Sequence, residues 1–199
     1  NIRFGLGGIK GVGANAVQCI IDEREKNGQF KDIFDFVKRV NLMYINKKTL
    51  ESMAYGGAFD SFDNPDNPNP ISRDQIVGSI PGKDESFIDS LLKFGRMVQQ
   101  EEANATMSLF GSVFNTEIIT LPPIPPKMEK MVFAPAKLKK EYEVLGIYLT
   151  EHPLDRYKIV LDNVNTTPLN SLNELLNNKD NVPKQTAVGY VIKVNEMIS

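Results

Sequence analysis

The chain has 199 residues, 41% of them hydrophobic and 24% charged, with a formal net charge of −2. That balance describes a globular chain long enough to bury one sizeable core or two small ones, and no block of it is strongly basic. Cys19 is the single cysteine, so an internal disulfide is excluded; no apolar run approaches membrane-spanning length and no signal-peptide pattern is present, which points to a soluble protein of the reducing cytoplasm with no membrane partner.

In chain order, Ile2 to Leu6 reads as a short strand, and a glycine-framed turn follows at Lys10-Gly11-Val12-Gly13. Gly11 and Gly13 are able to take positive φ, and Val12 between them is expected to pin the turn inward. Directly after the turn, Ala16, Val17, Ile20 and Ile21 share one helical face until Gly28 stops the helix. Helix-start amides lack internal partners, so a glycine turn with Lys10 beside it and Asn15 in the first turn is a natural phosphate cradle. The pattern reads as a helix-hairpin-helix unit. Two other readings compete: a helix-start turn that binds nothing, and a G-x-G-x-x-A dinucleotide fingerprint. The fingerprint needs a buried strand before it and a βαβ unit around it, whereas Lys10 interrupts the strand and Asp32 to Val40 has helical spacing.

From Phe34 to Ala58 the arrangement repeats in degenerate form. Phe34, Val37 and Val40 face inward, Asn41 to Tyr44 connects, and Asn46 is positioned to cap a second helix with Ile45 and Leu50 as a hydrophobic staple. Met53 and Ala54 continue its apolar face to Gly56-Gly57. This hairpin lacks the glycines of the first and is expected to offer Lys47 and Lys48 in place of backbone amides.

Asp60 to Pro70 is an Asn/Asp/Pro loop, and Ser72 to Ile80 a short helical turn. Ser86 caps a longer helix with Phe87, Leu91, Phe94 and Val98 inward and Gly95 weakening its centre. The helical pattern ends near Asn104, so Thr106-Met107-Ser108-Leu109-Phe110 is expected to be an exposed extended segment. Its Leu109-Phe110 pair would suit a partner's groove, or else fold back on the preceding helix. Leu121 to Pro126 is expected to be a stiff polyproline II spacer. Leu138, Tyr142 and Leu145 form a helical stripe closed by Gly146, and Pro153 begins another short helix to Leu161. His152, the only histidine, has no nucleophile, acid pair or Cys/His/Asp cluster near it in sequence, which favours a capping or buried role over a catalytic or metal-binding one. Thr186 to Met197 alternates as a strand without a later strand to pair it, and is expected to find a partner such as Ile2 to Leu6 or a neighbouring molecule.

Several blocks in this order resemble the bacterial replicative DNA polymerase III alpha subunit family. They are Ile2 to Gly13, Phe30 to Val40, Asn46 to Leu50 and Gly56 to Asp60, followed by Ser108-Leu109-Phe110-Gly111 and Glu141 to Asp155. The resemblance implies a tandem helix-hairpin-helix region for duplex DNA, an internal sliding-clamp peptide and the start of an OB-fold from about Leu169. In the clamp peptide Thr106 stands where the family usually has Gln. The resemblance also places the catalytic carboxylates and their Mg2+ outside this sequence, leaving no catalytic residue, cofactor or metal ligand here.

The expected fold class is therefore mainly α: a tandem helix-hairpin-helix DNA-binding domain with additional helices and a truncated β start. Domains are expected at residues 1–60, 61–163 and 164–199. The chain reads as a non-catalytic piece of a DNA-directed DNA polymerase, with duplex DNA, the sliding clamp and other replisome subunits as partners. Lys10, Gly11, Val12, Gly13, Asn15, Lys47 and Lys48 are the expected DNA-binding residues, and Thr106 to Phe110 the clamp-binding ones. Residues 1–60 and 127–158 are mildly basic and the stretch between them acidic, so weak, non-specific duplex contact is expected. A non-enzymatic helix-hairpin-helix adaptor of a repair complex is the alternative, and would lack the clamp peptide and the Tyr148 to Asp155 signature.

Overall fold

The computed structural model describes residues 4–107, 119–128, 130–167, 186–191 and 194–196. The helices are α1 Ala14–Asn27, α2 Ile33–Arg39, α3 Lys47–Tyr55, α4 Arg73–Ile76, α5 Phe87–Met107, α6 Lys130–Leu145 and α7 Lys158–Asp162, with 3-10 turns at Leu6–Gly8, Asp60–Phe62 and Pro153–Tyr157. Packing divides the chain into two units, Asn1–Tyr148 and Leu149–Ser199.

The first unit is organised around α2 and α5. Two turns of hydrophobic spacing bury Ile33, Phe34, Val37 and Val40 against Phe87, Leu91 and Phe94. Phe34 meets both Phe87 and Phe94 edge-on, with centroids 6.2 and 5.9 Å apart, and each fully buried large side chain contributes about 1.5–3 kcal/mol. Gly95 has a role the sequence pattern hides: a Cβ there would stand 2.6 Å from the Val37 carbonyl oxygen, so the glycine lets α5 lie directly on the α2 backbone. One turn later, Gln99 Nε2 donates to the Val37, Lys38 and Val40 carbonyls at 3.1, 3.0 and 2.8 Å. These carbonyls belong to the end of α2, where no intrahelical donor remains.

Several helix starts carry their own signal. Asp32 accepts from Asp35 N at 2.7 Å and also from Asn69 Nδ2 at 2.7 Å, which ties the Asn/Asp/Pro loop to α2. Ser72 and Gln75 form a capping box on α4, and Ser86 Oγ accepts from Asp89 N at 3.2 Å at the head of α5. At the other end of α1, Gly28 turns the chain at φ +79°. Arg39 then donates to Glu23, Asp35 and the Gly28 carbonyl while lying over the Phe30 ring.

Helix α6 is fastened to this body by an ion cluster in which Arg73 and Glu141 are buried and Asp60 is exposed. Arg73 donates to Glu141 Oε2 at 3.0 Å, to the Tyr55 carbonyl at 3.1 Å and to both oxygens of Asp60. Glu141 is only 1% exposed. Burial disfavours the guanidinium charge, but the hydrogen bonds and charges of Asp60 and Glu141 outweigh it and hold the Arg73 pKa above its ordinary value.

Three local expectations are corrected. Asn104 to Met107 continue α5, since Ala103 to Met107 contain neither glycine nor proline and nothing breaks the ladder. Thr106 and Met107 are therefore helical, while Ser108, Leu109 and Phe110 lie outside the described residues. The proline-rich segment does not stand free: Pro125 is buried, its carbonyl accepts from Gln75 Nε2 at 2.7 Å, and Ile119 and Ile124 pack on the core. A proline carbonyl keeps its acceptor, so a polyproline stretch can still be docked. No strand forms among the described residues beyond the single Ser79–Ser86 bridge. Leu6 begins a 3-10 turn, and residues 186–191 and 194–196 have no regular structure, with Thr167 N donating to the Thr186 carbonyl at 2.8 Å. A strand is defined by a ladder of such bonds, and one does not make a ladder.

In the second unit, His152 Nδ1 accepts from Leu154 N at 3.2 Å and Asp155 reaches back to His152 N at 2.7 Å. The histidine thus caps the Pro153–Tyr157 turn ahead of α7.

Candidate nucleic-acid interface

The first hairpin is held by its two apolar residues. Ile9 and Val12 are buried, and Val12 N donates to the Ile9 carbonyl at 3.1 Å, closing the turn. Gly11 takes φ +92°. A side chain is excluded there twice over, because its Cβ would also meet Ser52 Oγ of α3 at 2.9 Å. Gly13 does not share this conformation: it is the N-cap of α1 at φ −77°, ψ 158°, which any residue adopts. What its missing side chain does is leave the helix start open. No side chain caps α1, nothing lies within 4 Å of where a Gly13 Cβ would be, and the first turn holds no acidic residue. The amides of the first turn therefore have no side-chain partner, and exposed Lys10, Ala14 and Asn15 lie beside them, while Ala16 is buried.

The second hairpin is closed on itself. Asn41 Oδ1 accepts from Met43 N at 2.9 Å, and its carbonyl accepts from Tyr44 N and Ile45 N. Asn46 Oδ1 then accepts from Thr49 N at 3.0 Å and caps α3, with Ile45 and Leu50 buried on either side as the expected staple. Lys47 is engaged: its Nζ is 2.6 Å from Asp89 Oδ2, which Ser86 Oγ also holds at 2.6 Å. Those hydrogen bonds, to Lys47 first, keep the Asp89 carboxyl below the usual range, and the Lys47 ammonium is correspondingly raised. Lys48 is exposed, with its Cε 4.0 Å from the position of a Gly11 Cβ.

The two hairpins meet through α3. Thr49 Oγ1 donates to the Gly11 carbonyl at 3.4 Å, and Ile9 packs beside Gly56. Of the expected residues, Lys10, Gly11, Gly13, Asn15 and Lys48 gather around the head of α1 and the facing turn of α3. Val12 is a buried anchor and Lys47 is diverted to α5. The region before Gly11 is a 3-10 turn rather than a strand, which removes the context a dinucleotide fingerprint requires.

One part of this surface escaped sequence reasoning. Lys10 N donates to the Val144 carbonyl at 2.8 Å, so the last turn of α6 abuts the first hairpin across more than 130 residues of chain. The available signal was Glu141, a charged residue sitting on the Leu138-Tyr142-Leu145 stripe, where a buried partner had to exist.

Known proteins bear the same imprint. A family model described as a helix-hairpin-helix motif matches residues 1–67. The DNA polymerase III subunit alpha of Borreliella burgdorferi is 32% identical over 97% of this chain and 15% of its own length. That of Buchnera aphidicola from Acyrthosiphon pisum is 35% identical over 98% of this chain and 16% of its own, and that of Chlamydia pneumoniae 36% identical over 77% and 11%. The chain belongs to the DNA polymerase III alpha subunit family. It spans about 11–16% of the length of these relatives.

Proposed function

We propose that this segment grips duplex DNA without sequence preference, as a non-catalytic part of a replicative DNA polymerase. The observation that carries the reading is the open start of α1, whose amides no side chain caps and which Lys10 and Lys48 flank. A phosphate placed there satisfies amides that otherwise rely on water, and the helix dipole favours its charge. Backbone amides and lysines read phosphates rather than bases, so the grip is indifferent to sequence. Phosphoryl transfer, with its Mg2+, belongs in this reading to the parent protein's sequence outside the segment. Duplex binding by the 199-residue chain, followed by anisotropy across a salt series, tests the grip: each lysine that neutralises a phosphate adds about 0.9 to the salt slope. Binding that is insensitive to salt, or absent at low salt, overturns it.

The same reading makes Ser108-Leu109-Phe110, directly after α5, the anchor for a sliding clamp, with Thr106 and Met107 as the helical lead-in. Its support is the peptide's sequence pattern and its resemblance to the clamp peptide expected of that family. Leu109→Ala with Phe110→Ala is expected to abolish association with the clamp while leaving the thermal midpoint unchanged. A large loss of stability would place the pair in this chain's own core.

A further inference from the structure

Beside the first hairpin, the exposed side of α6 carries charge that neither the fold nor the hairpin motif uses. Lys140 Nζ is 2.7 Å from Glu143, and both side chains are nearly half exposed. Hydrogen bonding by Lys140 holds the Glu143 carboxyl below its usual range, and the charges of Lys139 and Lys10 act on it as well. Lys140 thus pairs with Glu143, Lys139 precedes it on the same helix, and the backbone bond to Val144 brings Lys10 to that last turn. Glu51 of α3 also acts on Lys140, and Lys48 lies against the Gly11 turn, so the surface holds four lysines and two carboxylates. An exposed ion pair contributes little to stability, and this one leaves unneutralised positive charge next to the open amides of α1.

We propose that α6 forms a second basic wall of the duplex site, in which Lys139 and Lys140 contact backbone phosphates of the same duplex that the α1 amides engage. The inference rests on the duplex-binding reading and extends it to an element outside residues 1–67, the part the hairpin family model matches. The wall is rigidly placed. Lys10 N holds the Val144 carbonyl at 2.8 Å, and the buried Arg73–Glu141 pair fixes the inward side of the same helix turn. The phosphate contacts of α6 and of the hairpin are therefore preorganised together, so little ordering is required when the duplex arrives. Glu143 is the competitor: it occupies Lys140 in the free protein, and a phosphate displaces it.

The test is salt-dependent binding of the 199-residue chain to a random-sequence duplex of about 20 base pairs, since each phosphate neutralised contributes about 0.9 to the slope. Lys139→Ala with Lys140→Ala is expected to lower the slope by about 1.8 and to weaken binding at low salt. Glu143→Gln is expected to tighten binding, and it reports on the site independently of the lysine variant's folding. Lys26→Ala, about 18 Å along α1 from its start, serves as the charge control and leaves the slope unchanged. If the lysine pair has no effect while Gly13→Asp still weakens binding about tenfold, the α6 wall is wrong and the hairpin reading stands. Equal losses in the Lys26 control reduce the effect to net charge and also overturn the wall. A wild-type chain that binds no duplex sinks both.

Discussion

The two hairpins face the same local problem, the unsatisfied amides at a helix start, and resolve it in opposite ways. In the second, Asn46 caps α3 and Asp89 holds Lys47, so its polar groups are satisfied within the protein. In the first, Gly13 stands at the N-cap of α1 with no side chain to offer. Glycine at an N-cap is only a few tenths of a kcal/mol worse than a capping residue, so the open end costs little stability and keeps a charged partner's place free. The two helix starts thus divide the work, one holding the pair together through α3 and α5, the other leaving its amides without a side-chain partner.

The comparison can be broken most severely at Gly11. Gly11→Ala forces an L-residue into φ +92° and pushes against Ser52 Oγ, at a cost of about 1–2 kcal/mol for the backbone alone. A fall of roughly 2–8 °C in Tm is expected, together with weaker duplex binding, because the hairpin and α3 separate. An unchanged Tm would show that the turn relaxes freely and that the hairpins are not tightly coupled.

Gly13→Asp converts the first helix start into a copy of the second. The site has room for a side chain at an ordinary φ, so the Tm should hold or rise slightly. Duplex affinity should fall about tenfold, or roughly 1.4 kcal/mol, because the carboxylate takes the amides and repels phosphate. Retained affinity in a folded variant would remove the α1 amides from the interface.

Asn46→Ala makes the reverse change in the second hairpin. Loss of the cap is expected to cost about 1 kcal/mol, seen in chemical denaturation as a lower midpoint at constant slope, with little change in duplex binding. A binding defect as large as that of Gly13→Asp would make the hairpins equivalent.

The smallest effect is expected at Asp89. Asp89→Asn frees Lys47 and should raise the salt slope of duplex binding by up to about 0.9. In the folded chain the Asp89 carboxyl titrates below its ordinary value. The pair therefore adds stability above about pH 4, and that stability is lost as the pH falls through the lower folded value. The Tm difference between wild type and Asp89→Asn should accordingly shrink at the acid end of a pH series; a constant difference would mean that the carboxylate charge is irrelevant.

Much of the helical framework was readable because its signals are local. Gly28, Asn46, Ser86 and Gly146 end or begin helices where their conformations or side chains require it, and His152 caps as its isolation in the sequence suggested. The first hairpin was legible from Gly11 and Val12, although the positive φ belongs to Gly11 alone. The extension of α5 through Met107 was missed because polar residues at its end carry no amphipathic pattern, while nothing in them opposes a helix. The docked proline segment was missed because its anchors, Gln75 and the core under Ile124, lie about 50 residues away.

The sequence by itself determined helix positions, caps and the glycine turn, since each depends on residues within about four places of one another. Only the tertiary structure decided which cations remain available. Lys47 and Lys48 are adjacent in sequence and chemically alike, yet α5 brings Asp89 to one and leaves the other beside Gly11. It likewise brought Val144 to Lys10 and Glu141 to Arg73. Pair interactions between charges fall off with distance in space and are blind to separation along the chain, so no local pattern could have assigned them.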